Sequence, residues 1–114
     1  MNEVLLSGRY AKLADDLRQA AEIGRQAAAQ SSDGGTCNFD AVSVKLKGWT
    51  KSKVEAAARQ AGVGCFVWNL WGSKSYVFPL ASGHQGDART AAAEAMRDFL
   101  RSAGYEASVY YQMD

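Results

Sequence analysis

Gly64-Cys65-Phe66-Val67-Trp68-Asn69-Leu70-Trp71 and Lys74-Ser75-Tyr76-Val77-Phe78-Pro79-Leu80-Ala81 stand on either side of Gly72-Ser73. Two runs rich in aromatic and β-branched residues, separated by a pair that begins with Gly, read as antiparallel strands joined by a type II′ turn at Gly72-Ser73. Pro79 has no N–H to give a sheet ladder, so it belongs at an edge or at the end of the second strand. The hairpin is apolar on both sides of its pleat, and its own pattern does not assign the buried face.

Toward the C-terminus, Ser82-Gly83-His84-Gln85-Gly86 reads as a loop, and Asp87 as the cap of a helix with the stripe Ala88, Ala92, Ala95, Met96, Phe99, Leu100 and Ala103. Gly104 stops that helix, with Tyr105 placed for the apolar contact that accompanies a left-handed cap. From Ala107 to Met113, Ala107, Val109, Tyr111 and Met113 alternate with Ser108, Tyr110 and Gln112, the period of a strand. Toward the N-terminus, Val54, Ala57, Ala58 and Ala61 form one face of a helix that Gly62 ends. Thr50 is its N-cap, and Trp49 can close a hydrophobic staple on Val54. Before it, Val42, Val44 and Leu46 alternate with Ser43 and Lys45 as a strand.

Residues 3 to 30 contain no Pro and carry Leu6, Tyr10, Leu13, Leu17, Ala20, Gly24 and Ala27 at alternating steps of four and three. This spacing predicts one long amphipathic helix. Its stripe narrows from large side chains to Ala and Gly, so a partner element can approach the second half closely. The partner is this chain's own sheet or another chain; in the second case Leu6, Tyr10, Leu13 and Leu17 form a homodimer interface. Gln30-Ser31-Ser32-Asp33-Gly34-Gly35 then breaks the helix.

The expected fold class is α+β. The order α, then β-α-β-β-α-β, matches the ferredoxin-like βαββαβ motif, a four-stranded antiparallel sheet with two helices on one face, here with an additional long N-terminal helix. A chain of 114 residues makes a single domain over 1–114, with the helix at 1–30 and the βαββαβ body at 36–114. Because the hairpin is apolar on both faces, both faces of the sheet are expected to be covered, the long first helix being the available cover.

Thirteen basic against twelve acidic residues leave a net charge of +1, so no global field draws the chain to nucleic acid or membrane. No apolar run approaches the roughly 18–20 residues needed to span a bilayer, and Met1 to Leu6 lacks a secretory signal pattern, so a cytoplasmic location is expected. Cys37 and Cys65 match neither a CxxC pair nor a zinc spacing, and with His84 they fall one ligand short of a structural zinc site, so no metal or cofactor is expected. HExxH, GxSxG, GxGxxG and paired-carboxylate patterns are absent, and a lone histidine is poor support for acid–base chemistry, so no catalytic residue is assigned and the chain is read as a non-enzyme.

Two binding features stand out. Tyr76 and Phe78, two apart after Lys74, have the aromatic spacing of an RNA-recognition strand, with Phe39 and Trp68 available to enlarge the platform; the Gly expected after the basic residue is missing. Lys45, Lys47, Lys51 and Lys53 make the one concentrated basic stretch, suited to phosphate contact or to an ordinary solvated face.

Gly34-Gly35-Thr36-Cys37-Asn38-Phe39-Asp40 and the run from Gly83 to Asp114, with Arg89-Thr90, Ala93-Glu94-Ala95-Met96 and Gly104-Tyr105, resemble small uncharacterised phage and prophage proteins. The resemblance covers roughly residues 34 to 114 and transfers no active site. It implies a stoichiometric inhibitor of the anti-CRISPR kind, acting by protein–protein contact on a host protein or ribonucleoprotein complex that targets nucleic acid, in the cytoplasm of a bacterial host. The alternative is a nucleic-acid-binding domain that uses Tyr76, Phe78 and the lysines together.

Overall fold

The computed structural model describes residues 6–31, 40–70, 73–80 and 86–110. The chain runs α1 (Gly8–Ala29), β1 (Ala41–Lys45), α2 (Lys51–Ala61), β2 (Phe66–Leu70), β3 (Ser73–Phe78), α3 (Gly86–Ser102) and β4 (Glu106–Tyr110), the expected order of elements. It is an α+β fold, three helices and a four-stranded antiparallel open sheet ordered β2-β3-β1-β4. Strands β1 and β2 both pair antiparallel with β3, so they run parallel to each other, and α2 is the crossover between them. Strands β3 and β4 are related in the same way about β1, with α3 as their crossover.

Alternation along β1 sorts the pleat. Val42 and Val44 stand opposite Phe78 and Tyr76 on one side and Val109 and Ala107 on the other, and Val67 stands opposite Tyr76. These residues share a face, and on it Val42, Val44, Tyr76 and Phe78 are fully enclosed in a core with Leu13, Leu17, Val54, Met96 and Leu100. Each such side chain contributes about 1.5–3 kcal/mol relative to exposure, so this one interface supplies most of the driving force.

All three helices belong to that layer. Helix α1 packs along α3 and along α2, while the two crossover helices make no comparable contact with each other. Leu13 and Leu17 of its large half are completely buried. Its small half approaches α3 closely, as the narrowing stripe predicts: a Cβ on Gly24 would lie 2.9 Å from both Cγ and Sδ of Met96. The expectation that α1 covers the second sheet face is therefore corrected; among the described residues no helix lies there. The reason is visible in β1, where Ser43 and Lys45 occupy the second face, and a helix laid over them would desolvate a hydroxyl and the Lys45–Glu106 ion pair. The alanine-rich faces of α2 and α3 leave space on the first face, and the leucines of α1 fill it.

Hydrogen bonds fasten α1 at the α3 end. Lys12 Nζ donates to Asp16 Oδ2 at 2.7 Å and to the Ala103 carbonyl at 3.1 Å, and the Tyr105 hydroxyl donates to the same carboxylate oxygen at 2.7 Å. Burial, and then the bond to Asp16, push the Tyr105 phenol well above its ordinary range, so it stays a donor. Helices α2 and α3 both end in the paired bonds of a Schellman motif, with Gly62 and Gly104 at φ of 78° and 102° and the closing bonds Val63 N–H to Ala58 and Tyr105 N–H to Leu100, each 3.0 Å.

Several local expectations shift. Leu70 pairs with Ser73, so Ser73 is a strand residue and the proposed Gly72-Ser73 turn is out of register by one. Helix α3 starts at Gly86, which puts Asp87 inside the first turn, where its carboxylate suits the helix dipole, instead of at the cap. Thr50 does occupy the N-cap of α2, yet its side chain makes no capping bond. Cys37, Phe39, His84 and the expected extension of the last strand to Met113 lie outside the described residues.

Candidate functional site

The second face of the sheet is built from the other half of the alternation. Trp68, Ser75, Lys45 and Glu106 lie in one row across the four strands, and Phe66, Val77, Ser43 and Ser108 in the next, with Ala41 opposite Tyr110 beyond them. Apart from Lys45, the central strands thus present small side chains, and each edge strand presents at least one ring. Tyr110 from one edge meets both rings of the other, edge-on to Phe66 at 6.4 Å between centroids and tilted against Trp68 at 5.3 Å. Edge-to-face and offset pairs of this kind are worth about 0.5–1.5 kcal/mol each beyond area burial.

Val77 is fully buried without belonging to the helix-side core. The aromatic bridge shields it, while Phe66 remains 43% and Trp68 39% exposed, the large apolar side chains most open to solvent among the described residues. The outcome is an aromatic patch that reaches from one edge strand to the other, with Ser43 and Ser75 on the central strands between its rings. Its electrostatics are balanced, because Lys45 Nζ stands 3.4 Å from Glu106 Oε2 on the same face.

The candidate residues read from the sequence separate into three places. Tyr76 and Phe78 are fully buried beneath the helices, so they do not form a base-stacking surface; their period-two spacing was right for a shared face, but that face is the core. Leu13 and Leu17 are likewise internal, so these two close the chain onto itself and offer no surface to a second copy, while Leu6 and Tyr10 are partly buried against the same core. Lys45 lies on the open face, whereas Lys47, Lys51 and Lys53 are exposed around the β1–α2 junction, outside the four strands. Trp68, considered as a platform residue, is on the open face. Phe66 and Tyr110 were not singled out; the signal for Phe66 was its even spacing from Trp68, and Tyr110 stood among the alternate residues of the last strand.

No protein-family model, curated protein or solved structure matches this chain.

Two further polar groupings are internal. Asp40, nearly buried, accepts from Thr90 Oγ1 at 2.7 Å, and its carbonyl accepts from Arg89 Nε at 3.3 Å, tying the start of β1 to the first turns of α3. Beside them lies a cavity of about 10 Å³ lined also by Phe78, Leu80 and Met96, room for a single water. Cys65 is half-buried, and desolvation followed by the Glu55 carboxylate pushes its thiol up to about 11, which makes it a poor nucleophile. No helix among the described residues is long and apolar enough to cross a membrane.

Proposed function

We propose that this chain is a non-enzymatic binding protein that engages a partner protein through the helix-free sheet face, with Phe66, Trp68 and Tyr110 at the centre of contact. The observation carrying this reading is the exposure of two large rings, both in contact with a third, on the open face of the sheet. Tyr, Trp and Phe supply large contact area at low entropic cost, and interface energy concentrates on such anchors. Charge favours a protein over nucleic acid, since the lysine on this face is already paired with Glu106 and the other lysines of the basic stretch lie outside the strands that carry the rings. Phosphate neutralisation, which dominates nucleic-acid affinity, has little to work with here.

The body is read as a ferredoxin-like βαββαβ unit modified by α1, which is seated between the crossover helices; the two split crossovers and the order β2-β3-β1-β4 support that reading. The resemblance to small phage proteins supplies the setting we propose: stoichiometric inhibition of a host complex that targets nucleic acid, in the bacterial cytoplasm.

The test compares the wild-type chain with a Phe66→Ser/Trp68→Ser double variant in pull-downs from nuclease-treated bacterial lysate, after circular dichroism has established that both are folded. Recovery of a nucleic-acid-targeting complex near equimolar ratio by the wild type, reduced about 10-fold or more in the variant, is expected for anchors worth at least ~1.4 kcal/mol. Equal recovery by both chains, or none by either, refutes the assignment. Salt-sensitive quenching of Trp68 fluorescence by a single-stranded oligonucleotide would transfer the face to nucleic acid.

A further inference from the structure

The first turn of α2 is capped from outside its own helix. In a capping box the third helical residue is Glu or Gln, whose side chain reaches back to accept from the N-cap N–H. Here that residue is Lys53, which has donors and no acceptor. The missing acceptor comes from α1: the Thr50 N–H donates to the Tyr10 hydroxyl oxygen at 2.8 Å. The ring of Tyr10 meets Trp49 edge-on at 5.2 Å, and the Arg9 guanidinium lies 4.4 Å above the Trp49 ring while donating to the Gly48 carbonyl at 3.1 Å. One aromatic pair, one cation–π contact and two hydrogen bonds therefore join the start of α1 to the β1–α2 junction.

We propose that Tyr10 is a trans cap of α2 and a pH-responsive latch between α1 and α2, holding more tightly as its phenol ionises. An oxygen that accepts a backbone N–H at the positive end of a helix gains from negative charge. The charged and titratable groups around it are Arg9 of α1, whose guanidinium donates to the hydroxyl at 3.5 Å, Lys53 of α2, whose ammonium stands 5.4 Å from the ring centroid, and on β3 the buried phenol of Tyr76, whose own proton a Tyr10 phenolate makes harder to lose. Among the described residues, no carboxylate is a cause of its shift. Hydrogen bonding from Thr50, and then from Arg9, draws the phenol down from 10 to about 8. Because the folded chain holds the proton less tightly than the unfolded chain, the added stability is complete above pH 10 and is lost as pH falls through about 8.

Ultraviolet titration of tyrosinate absorbance in the intact chain tests this directly, alongside urea unfolding of wild type and Tyr10→Phe from pH 7 to pH 10. One tyrosine should titrate near 8 in the wild type, be missing from Tyr10→Phe, and move back toward 10 in Arg9→Gln. The stability difference between wild type and Tyr10→Phe should widen as pH rises across this window. A wild-type chain in which no tyrosine titrates below its ordinary range overturns the proposal whether or not the variants fold, and so does a stability difference that stays constant with pH.

Discussion

Gly24→Ala is the sharpest probe of how α1 is seated, because two opposing effects act on one methyl group. Alanine in a helix interior is favoured over glycine by about 0.8–1.0 kcal/mol. Against this, the new Cβ would stand 2.9 Å from Met96 Cγ and Sδ and 3.4 Å from the Ala92 carbonyl oxygen, and Met96 is itself buried with little room to withdraw. Overpacking of this kind costs about 1–3 kcal/mol, so the net expectation is a loss of about 1 kcal/mol. Met96→Ala alone should cost about 2–5 kcal/mol through the cavity it leaves. In the Met96→Ala background the collision is gone, and Gly24→Ala should then stabilise by about 1 kcal/mol. The coupling energy of the cycle is thus expected at about 1–3 kcal/mol, measured by urea unfolding with unchanged slope. Additivity to within about 0.5 kcal/mol would mean that Gly24 does not face Met96, and the docking of α1 on α3 would be wrong.

Leu13→Asp should unfold the chain, since a carboxylate placed at a completely buried position without a partner costs more than much of the roughly 5–15 kcal/mol available to a domain. A folded Leu13→Asp chain whose change is a loss of dimer mass in light scattering would restore the intermolecular reading of the stripe. Tyr76→Phe should raise stability by about 1–2 kcal/mol, because the Tyr76 hydroxyl is buried with no hydrogen-bond partner among the described residues, and phenylalanine keeps the ring while deleting that group. Destabilisation on calorimetric melting would show that this hydroxyl is bonded.

Periodicity carries most of what was legible before the fold. The step of three and four in α1, the alternation of Val42 and Val44 against Ser43 and Lys45, and the glycines after α2 and α3 are local signals, and each element appears where they put it. Boundaries moved by a residue or two where turn chemistry was ambiguous, as at Ser73 and Asp87. Capping was less legible: Thr50 is the right residue at the right position, but the cap bond comes from Tyr10, forty residues away in the chain.

What the amino-acid sequence by itself determined is therefore the set of elements, their order and the side of each helix that is apolar, because these depend on backbone propensity and on residues close along the chain. Only the tertiary structure decided which face of the central hairpin is core and which is open. Tyr76 and Phe78 face one way and Phe66 and Trp68 the other, and both pairs are equally apolar, so no local pattern distinguishes them. The decision came from where α1 finds room: it is drawn to the side where β1 offers Val42 and Val44 and kept from the side where β1 offers Ser43 and Lys45, because a helix there would desolvate a hydroxyl and the Lys45–Glu106 ion pair.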